Sequence, residues 1–469
     1  MLIIIVCLIL FGYILIATEH ITHINKATIA IFVGVVSWIL YISWGTDFVL
    51  QMHSQEFSQY VGGFEYTALT VKRFIAEHVF LQYGYQLSAI VLYLLATMNI
   101  VSVLNANGCF DFVYRFLRVK DSRHILWGFV VFTFLISCNL DNLTTTILML
   151  MIMRRIVANH RSRMWIGAAI VISANCGGAI TVIGDPTSLV VWTKGAVTPT
   201  NFSATLALSA IIATIIPTYL ISRQLPENID IIRPTVSYRG DCAPLRTWQQ
   251  TAMLIIGFGG LWFVPTFHRI TILPPFLGAL CVLGVLWVMH EMFNMNQIRS
   301  NQPANISGDR HFQFESLQII IYIIGVYLAV AVLIETGVMH SISAWSDEWI
   351  HDIYIMSLAM GVVSSVLDNI AVVLTGINIY PVLSDVSSVS NLAPDYAKSF
   401  LLDGQYWHLI IYSGCVAGCL LPIGNISGYT LMKTEDVSIA WYVRHIMPKV
   451  LIGWLLGLGT YFVVQQIVS

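Results

Sequence analysis

The nonapeptides SCNLDNLTT, starting at Ser137, and SSVLDNIAV, starting at Ser364, share an S-x-x-L-D-N core, and both lie inside long apolar stretches. An ionised aspartate near the centre of a bilayer costs at least ~2.5–3.5 kcal/mol on insertion scales. Asp is a good helix N-cap, but Ser or Asn would cap a helix start for less. A carboxylate kept at such a place has a second task, and holding a cation or a proton is the chemistry that fits. Asp141 and Asp368 are the leading candidates, joined by Asp185 in a Gly- and Pro-interrupted stretch further on. The neutral oxygens that a dehydrated hard cation needs are close in sequence: Ser137, Asn142, Thr144 and Thr145 beside the first aspartate, Ser364 and Asn369 beside the second. Asn175, Thr187, Ser188, Asn425 and Ser427 add more on two Gly-rich segments, together with carbonyls freed where a helix breaks. Any one hydroxyl is more commonly bonded back to its own preceding turn, so the aspartates carry the assignment.

Desolvation disfavours the charged form of a buried carboxylate, and a bound cation favours it. Proton and cation then compete for the same oxygens. A site that crosses only when occupied by one or the other exchanges them in opposite directions. Glu335, in AVAVLIETG, falls near the outer end of an apolar run, where it either snorkels to the interface or joins a proton path. His20 and His23 have a spacing that suits a metal, but a solvated loop is the simpler reading, and no cofactor is expected.

Composition says what must position these groups. Of 469 residues, 57% are hydrophobic and 10% charged, with mean hydropathy +0.77, whereas about a quarter of a soluble domain is charged. Apolar runs near the ~20 residues needed to cross a bilayer recur from end to end, so the fold class is an all-α polytopic membrane protein. Expected spans are 2–17, 27–44, 85–105, 164–195, 202–222, 249–267, 270–290, 316–337, 406–433 and 447–467. Two further apolar stretches, 124–153 and 352–378, contain the Asp-Asn pairs. Within the connection 45–84, FEYTALTVKRFIAEHVF suits either an interfacial amphipathic helix or an ordinary loop. The N-terminal MLIIIVCLILFGYILIA lacks a positive n-region and reads as a retained first span. A net charge of −2 with no basic block gives no sign of a nucleic-acid partner. Eight scattered cysteines without a C-x-x-C pair support neither a disulfide framework nor a zinc site. Neither H-E-x-x-H nor G-x-S-x-G is present, so an intramembrane enzyme has no motif to stand on.

Lys and Arg concentrate at 115–123, 154–163, 223–246, 299–310 and 433–449, which the positive-inside rule puts in the cytoplasm. The acidic connections 338–352 and 379–405 go outside. Stretch 124–153 then has both flanks inside and 352–378 both flanks outside, which makes them re-entrant hairpins of opposite orientation. Each precedes a span with a breakable centre, ISANCGGAITVIGDPTSLVV (172–191) and SGCVAGCLLPIGNISGYTL (413–431). Gly184 allows positive φ, and Pro186 drives Asp185 out of the α region; Pro422, Gly424 and Gly428 act likewise in the second. The same order in both halves describes inverted-topology repeats with a midplane site between them. The divisions are N-terminal spans and loop 1–84, first repeat 85–222 (hairpin 124–153, broken helix 164–195), cytoplasmic linker 223–248, and second repeat 249–469 (hairpin 352–378, broken helix 406–433). Both termini are expected outside a cell inner membrane.

LDNLTTTI (140–147) followed by N-x-G-G-A-x-T-x-I-G-D-x-T (175–187) resembles the signature of NhaD-type sodium/proton antiporters. These belong to the ion transporter superfamily, with arsenite and dicarboxylate/citrate carriers, and the likeness covers roughly 85–440. The resemblance implies exchange of Na⁺, and of Li⁺, for H⁺ by an elevator-like movement against a scaffold that forms a homodimer in the lipid bilayer. It also implies ion-binding roles for Ser137, Asp141, Asn142, Asn175, Asp185, Thr187 and Ser188, and for Ser364, Asp368 and Asn369. The chain departs from the pattern at GCVAGCLLPIGNISG (414–428), where relatives have a Gly-Ser-rich run, and at Ser102, in a span that often carries a glutamate. The alternative is a carrier of the same fold for arsenite or antimonite, and with less support a dicarboxylate, which Asp at both tips would repel.

Overall fold

The computed structural model describes residues 2–22, 24–62, 66–117, 120–232, 245–299, 309–385 and 393–468. His23, Arg118, Arg233, Arg239 and part of the acidic connection 379–405 fall outside the described residues. Among the described residues every regular element is helical, apart from three isolated β-bridges. Among the described residues, seven helices are long and apolar enough to cross a membrane: Lys26–Ser43, Ala68–Ala106, Pro199–Ser222, Thr247–Thr271, Pro275–Met295, Leu317–Glu335 and Met447–Ile467. Leu2–Ala17 is equally apolar, but its 16 residues reach only ~24 Å.

One span is longer than its sequence suggests. Thr67 caps a helix that starts at Ala68, and a π-helical stretch over Ile75–Phe80 carries it straight into Leu81–Ala106. From Ala68 to Phe80 the FEYTALTVKRFIAEHVF segment is thus neither a loop nor a separate interfacial helix. Val71, Phe74, Ile75 and Val79 bury its apolar face against protein. Ahead of it, Gly45–Met52 and Ser54–Val61 form two short helices.

Ser122–Ser137 and Asn142–Ile156 form a first helical hairpin. Its two ends lie side by side, because residues 227–232 bond to both: Ser122 N–H donates to Glu227 O at 3.1 Å, and Ile232 N–H donates to Ile156 O at 2.9 Å. The second hairpin, Ile353–Val366 and Asn369–Gly376, is shorter. At its mouth Tyr380 Oη donates to Asp347 Oδ1 at 2.6 Å.

Two broken helices run between these mouths in opposite directions. The first, His160–Gly178 and Pro186–Thr193, begins beside the first mouth. It ends where Lys194 Nζ donates to Ile377 O and to Asn378 Oδ1 (3.1 Å) at the second mouth. The other, Gln405–Ala417 and Ile426–Glu435, starts where Tyr406 Oη donates to Gly376 O at 2.8 Å. It ends at the first mouth, where Glu435 meets Arg163 at 2.8 Å, Arg154 at 3.2 Å and His160 at 3.5 Å.

Asp185 at the first break is extended, with φ −146° and ψ 144°, as its following proline requires. Asn425 adopts the same backbone, φ −153° and ψ 156°, with no proline after it. The break glycines act differently from expectation. Neither Gly184 nor Gly424 is among the described residues of positive φ; what each supplies is close approach. A Cβ on Gly184 would sit 2.7 Å from Ser137 O, and one on Gly424 would sit 2.4 Å from Ser365 O and 2.7 Å from Ser364 O. Each hairpin tip therefore rests directly on the backbone of the break that follows it.

Outside this unit, Lys26–Ser43 and Leu317–Glu335 pack so closely that a Cβ on Gly325 would lie 2.3 Å from the Ala30 carbonyl carbon and the Ile31 nitrogen. Helices Pro199–Ser222 and Met447–Val468 meet through Gly453 against Pro217 and Gly457 against Ser209.

The Glu435 carboxylate is wholly buried, while Arg154 and Arg163 keep 52% and 18% of their side chains exposed. Removing one side of a buried ion pair costs 3–5 kcal/mol, and partial exposure of the arginines puts this one at the lower end. Glu435→Gln should destabilise the protein by ~3 kcal/mol, read as a lowered thermal midpoint of purified protein. An unchanged midpoint would show that this cluster does not hold the two mouths together.

Candidate functional site

Four half-helices start in the interior, at Asn142, Pro186, Asn369 and Ile426, and a side chain caps each of them. Asp141 Oδ1 accepts from Thr144 N–H at 2.8 Å, and Asp185 Oδ1 accepts from Thr187 N–H at 2.8 Å and from its hydroxyl at 2.6 Å. Asp368 Oδ1 accepts from Ile370 N–H at 3.1 Å, and Asn425 Oδ1 accepts from Gly428 N–H at 2.6 Å. All four caps are buried. A helix N-terminus presents about +0.5 of an elementary charge and would by itself favour an anion. Acidic caps on three of the four turn the place toward cations.

Asn142 Nδ2 donates to Asp185 Oδ2 at 2.5 Å and to Asn175 Oδ1 at 3.0 Å, joining the first tip to the first break. In the second half, Asn369 N–H donates to Gly424 O at 3.2 Å. The halves meet where Thr187 Oγ1 lies 3.4 Å from Cys415 Sγ. Asp185 is also within electrostatic reach of both Asp141 and Asp368. Among the described residues, Asp141 Oδ2, Thr145 Oγ1 and Ser427 Oγ are buried without a hydrogen-bond partner, as are Asn369 Nδ2 and Asn139 Oδ1. A buried polar atom left unpaired costs ~1–3 kcal/mol. Three of the candidate oxygens are thus unsatisfied in the interior, where a ligand would relieve them.

Other candidates are tied to backbone. Ser137 Oγ donates to Ala174 O at 2.6 Å and Ser364 Oγ to Gly414 O at 2.7 Å, matching bonds that fasten each hairpin to its broken helix. Ser188 Oγ donates to Asp185 O at 2.9 Å, Asn175 Nδ2 to Val171 O at 2.9 Å, and Asn425 Nδ2 to Gly418 O at 2.8 Å. Thr144 offers its backbone N–H to the cap.

Two groups escape sequence reasoning. Lys26 Nζ pairs with Asp368 Oδ2 at 2.9 Å and lies 4.7 Å from the Tyr322 ring centroid. In sequence it sits one residue before an expected span and reads as an ordinary loop charge. Tyr93, on the span before the first hairpin, is buried with an unpartnered hydroxyl and is within electrostatic reach of Asp141.

The sequence model of the CitMHS family, described as citrate transporter, matches residues 13–397. The chain belongs to this family of membrane transporters. Sodium/proton antiporter 2 of Arabidopsis thaliana is 28% identical over 460 residues, 97% of this chain and 98% of that protein. Sodium/proton antiporter 1 of the same plant is 29% identical over 386 residues, 81% of this chain and 63% of its own length. The Na(+)/H(+) antiporter NhaD of Vibrio cholerae is 23% identical over 421 residues, 83% of this chain and 80% of the relative. The likeness to NhaD-type antiporters read from the hairpin and break motifs thus extends over most of the chain. A transporter family, and no enzyme, accounts for the two capped hairpins.

In this CitMHS member Glu335 does not snorkel. It is buried, and its carboxylate accepts from Tyr83 Oη at 2.7 Å and Tyr41 Oη at 3.3 Å, with His53 Nε2 at 2.7 Å. None of these bonds leads to the aspartates. His53 Nδ1 also lies 3.1 Å from Glu56, so both ring nitrogens face carboxylates, which suits the doubly protonated ring. The bond to Glu335 is the main reason the His53 pKa is raised above its ordinary 6.5. Stabilisation from this contact is therefore complete below ~6.5 and fades as pH rises through the raised value. Residues 45–61 should exchange amide hydrogens faster, after correction for intrinsic rates, once pH passes that point, and Glu335→Gln should flatten the dependence. Equal pH profiles for wild type and variant would show that the bridge does not dock these helices.

Proposed function

We propose that this protein exchanges Na⁺, and also Li⁺, for H⁺ across a cell inner membrane. The observation that carries this reading is the set of three acidic caps, Asp141, Asp185 and Asp368, at interior helix starts, with Asp185 within electrostatic reach of the other two. The names of the Arabidopsis and Vibrio relatives agree with it. Citrate, which the family description names, carries up to three negative charges and would meet carboxylates where an anion site needs bare N–H groups. An arsenite carrier has no specific observation in its favour.

In this reading Asp141 Oδ2, Thr145, Thr187 and Ser427 supply cation oxygens, Asn142 orients the Asp185 carboxylate and is itself held by Asn175, and Asn369 stands beside Asp368. Ser137, Ser188, Ser364 and Asn425 hold the breaks open. Proton and cation compete for Asp141, Asp185 and Asp368, so one leaves as the other arrives. The two hairpins and two broken helices form inverted repeats that enter from opposite faces, a reading supported by broken helices that run in opposite senses between the two mouths. This unit moves as an elevator against helices Lys26–Ser43 and Leu317–Glu335. The resting form is a homodimer, with both termini outside. Glu335 latches the outer helices and lies off the ion path.

Inverted vesicles holding a respiration-driven pH gradient test the function. Na⁺ and Li⁺ should collapse the gradient, while K⁺ and citrate should leave it. Asp141→Asn and Asp368→Asn should each abolish the response while the variants still purify as wild type does. No proton movement with any cation, or full activity in either variant, would overturn the proposal.

A further inference from the structure

Lys26 is an unexpected group to find at the second carboxylate. It occupies the first turn of helix Lys26–Ser43, the end at which the helix dipole already presents positive charge and acidic residues are favoured. Its side chain is 12% exposed, against 1% for Asp368. Nothing in its own helix favours a cation there. Its partners come from elsewhere: Asp368 on the second hairpin tip and the face of Tyr322. Helix Lys26–Ser43 packs against Leu317–Glu335, so the ion pair ties this helix pair to the second hairpin tip.

The pair also lies in a small pocket. Glu19, Lys26 and Asp368 all line it, so a second acid shares the pocket with the pair. Glu19 is itself buried, and Tyr322 is within electrostatic reach of both Glu19 and Asp368. A lysine stem is flexible and carries its charge as a point. The same ammonium that bonds Asp368 has an alternative carboxylate on the wall of the same pocket.

We infer that Lys26 is a tethered competing cation: it occupies Asp368 when no transported ion does, and it swings toward Glu19 when one arrives. When the arriving ion is Na⁺ no covalent or proton-transfer step is involved, since one positive charge replaces another on the same oxygen. The exchange has two consequences for the transport proposed above, on which it rests. An incoming ion must displace an internal rival, which weakens its apparent affinity and speeds its release. The pair also ties the hairpin unit to the outer helices while Asp368 lacks an ion, so an empty carrier is held from crossing and the two flows stay coupled.

Purified protein tests this by its thermal midpoint as a function of NaCl, at ionic strength held constant with choline chloride. The wild type should be stabilised by sodium in a saturable way. Lys26→Met removes the rival and leaves Asp368 bare, so half-saturation should fall about tenfold or more, equivalent to about 1.4 kcal/mol. Lys26→Arg offers a planar fork that holds a carboxylate more firmly, so half-saturation should rise about threefold or more. A merely structural pair would lower the midpoint of both variants without moving half-saturation in opposite directions. Should Lys26→Met not fold, the Arg variant decides alone, and a half-saturation equal to or below that of wild type would overturn the inference. No sodium response in the wild type would instead sink the sodium reading, which separates the two failures.

Discussion

Everything in this molecule follows from helix starts buried in its interior. The first N–H groups of a helix have no partner within it, and in an apolar interior each must find one in protein. Here four half-helices begin inside the fold, and four side chains, Asp141, Asp185, Asp368 and Asn425, accept those bonds. The same four helix starts add roughly +2 of charge by their dipoles, and the four half-helices that end at the same tips and breaks, at Ser137, Gly178, Val366 and Ala417, cancel roughly as much. The side chains therefore set the sign. Three carboxylates against one ammonium leave two negative charges for protons or cations to satisfy.

Glycine makes that arrangement compact. Gly184 and Gly424 hold equivalent places, and each lies against the end of its own hairpin's first helix, where a Cβ would fall within 2.7 Å or less of a carbonyl oxygen. The serines Ser137 and Ser364 fasten the same junctions by bonds of 2.6 and 2.7 Å. A hairpin and the break after it thus behave as one rigid piece in each half. That rigidity fixes where the capping carboxylates point.

The sequence announces part of this and hides the rest, for physical reasons. Helix class and the positions of Asp141, Asp185 and Asp368 are legible because buried charge in an apolar run is rare and the motif repeats. The breaks are legible because Gly and Pro act locally. The helix starting at Ala68 is not, since a π-helical stretch at Ile75–Phe80 keeps a polar-looking segment in line with the span after it. The role of glycine is misjudged for a similar reason: positive φ is a local property, whereas contact with Ser137 or Ser365 depends on the fold. Long-range ion pairs are the least legible. Lys26 and Asp368 are 342 positions apart, and Arg163 and Glu435 272. Each partner alone looks like a loop charge or a helix-end charge.

The family description and the relatives' names point to cargo of opposite sign, a difference that a change of cap residue alone is enough to produce on one scaffold. Bare N–H groups at paired helix starts hold a carboxylate-bearing substrate through dipole and hydrogen bonds. An aspartate cap accepts from the same N–H groups as a neutral cap and adds a full negative charge beside each. No helix has to move for the preference to invert. Asn425 is informative here, because it caps the fourth start with the same geometry and no charge. A fourth carboxylate would raise the uncompensated charge from two to three, in an interior where each further unit of like charge is harder to accommodate. One neutral cap and one lysine thus limit the uncompensated charge of the four caps to two, the charge on which the proposed exchange rests.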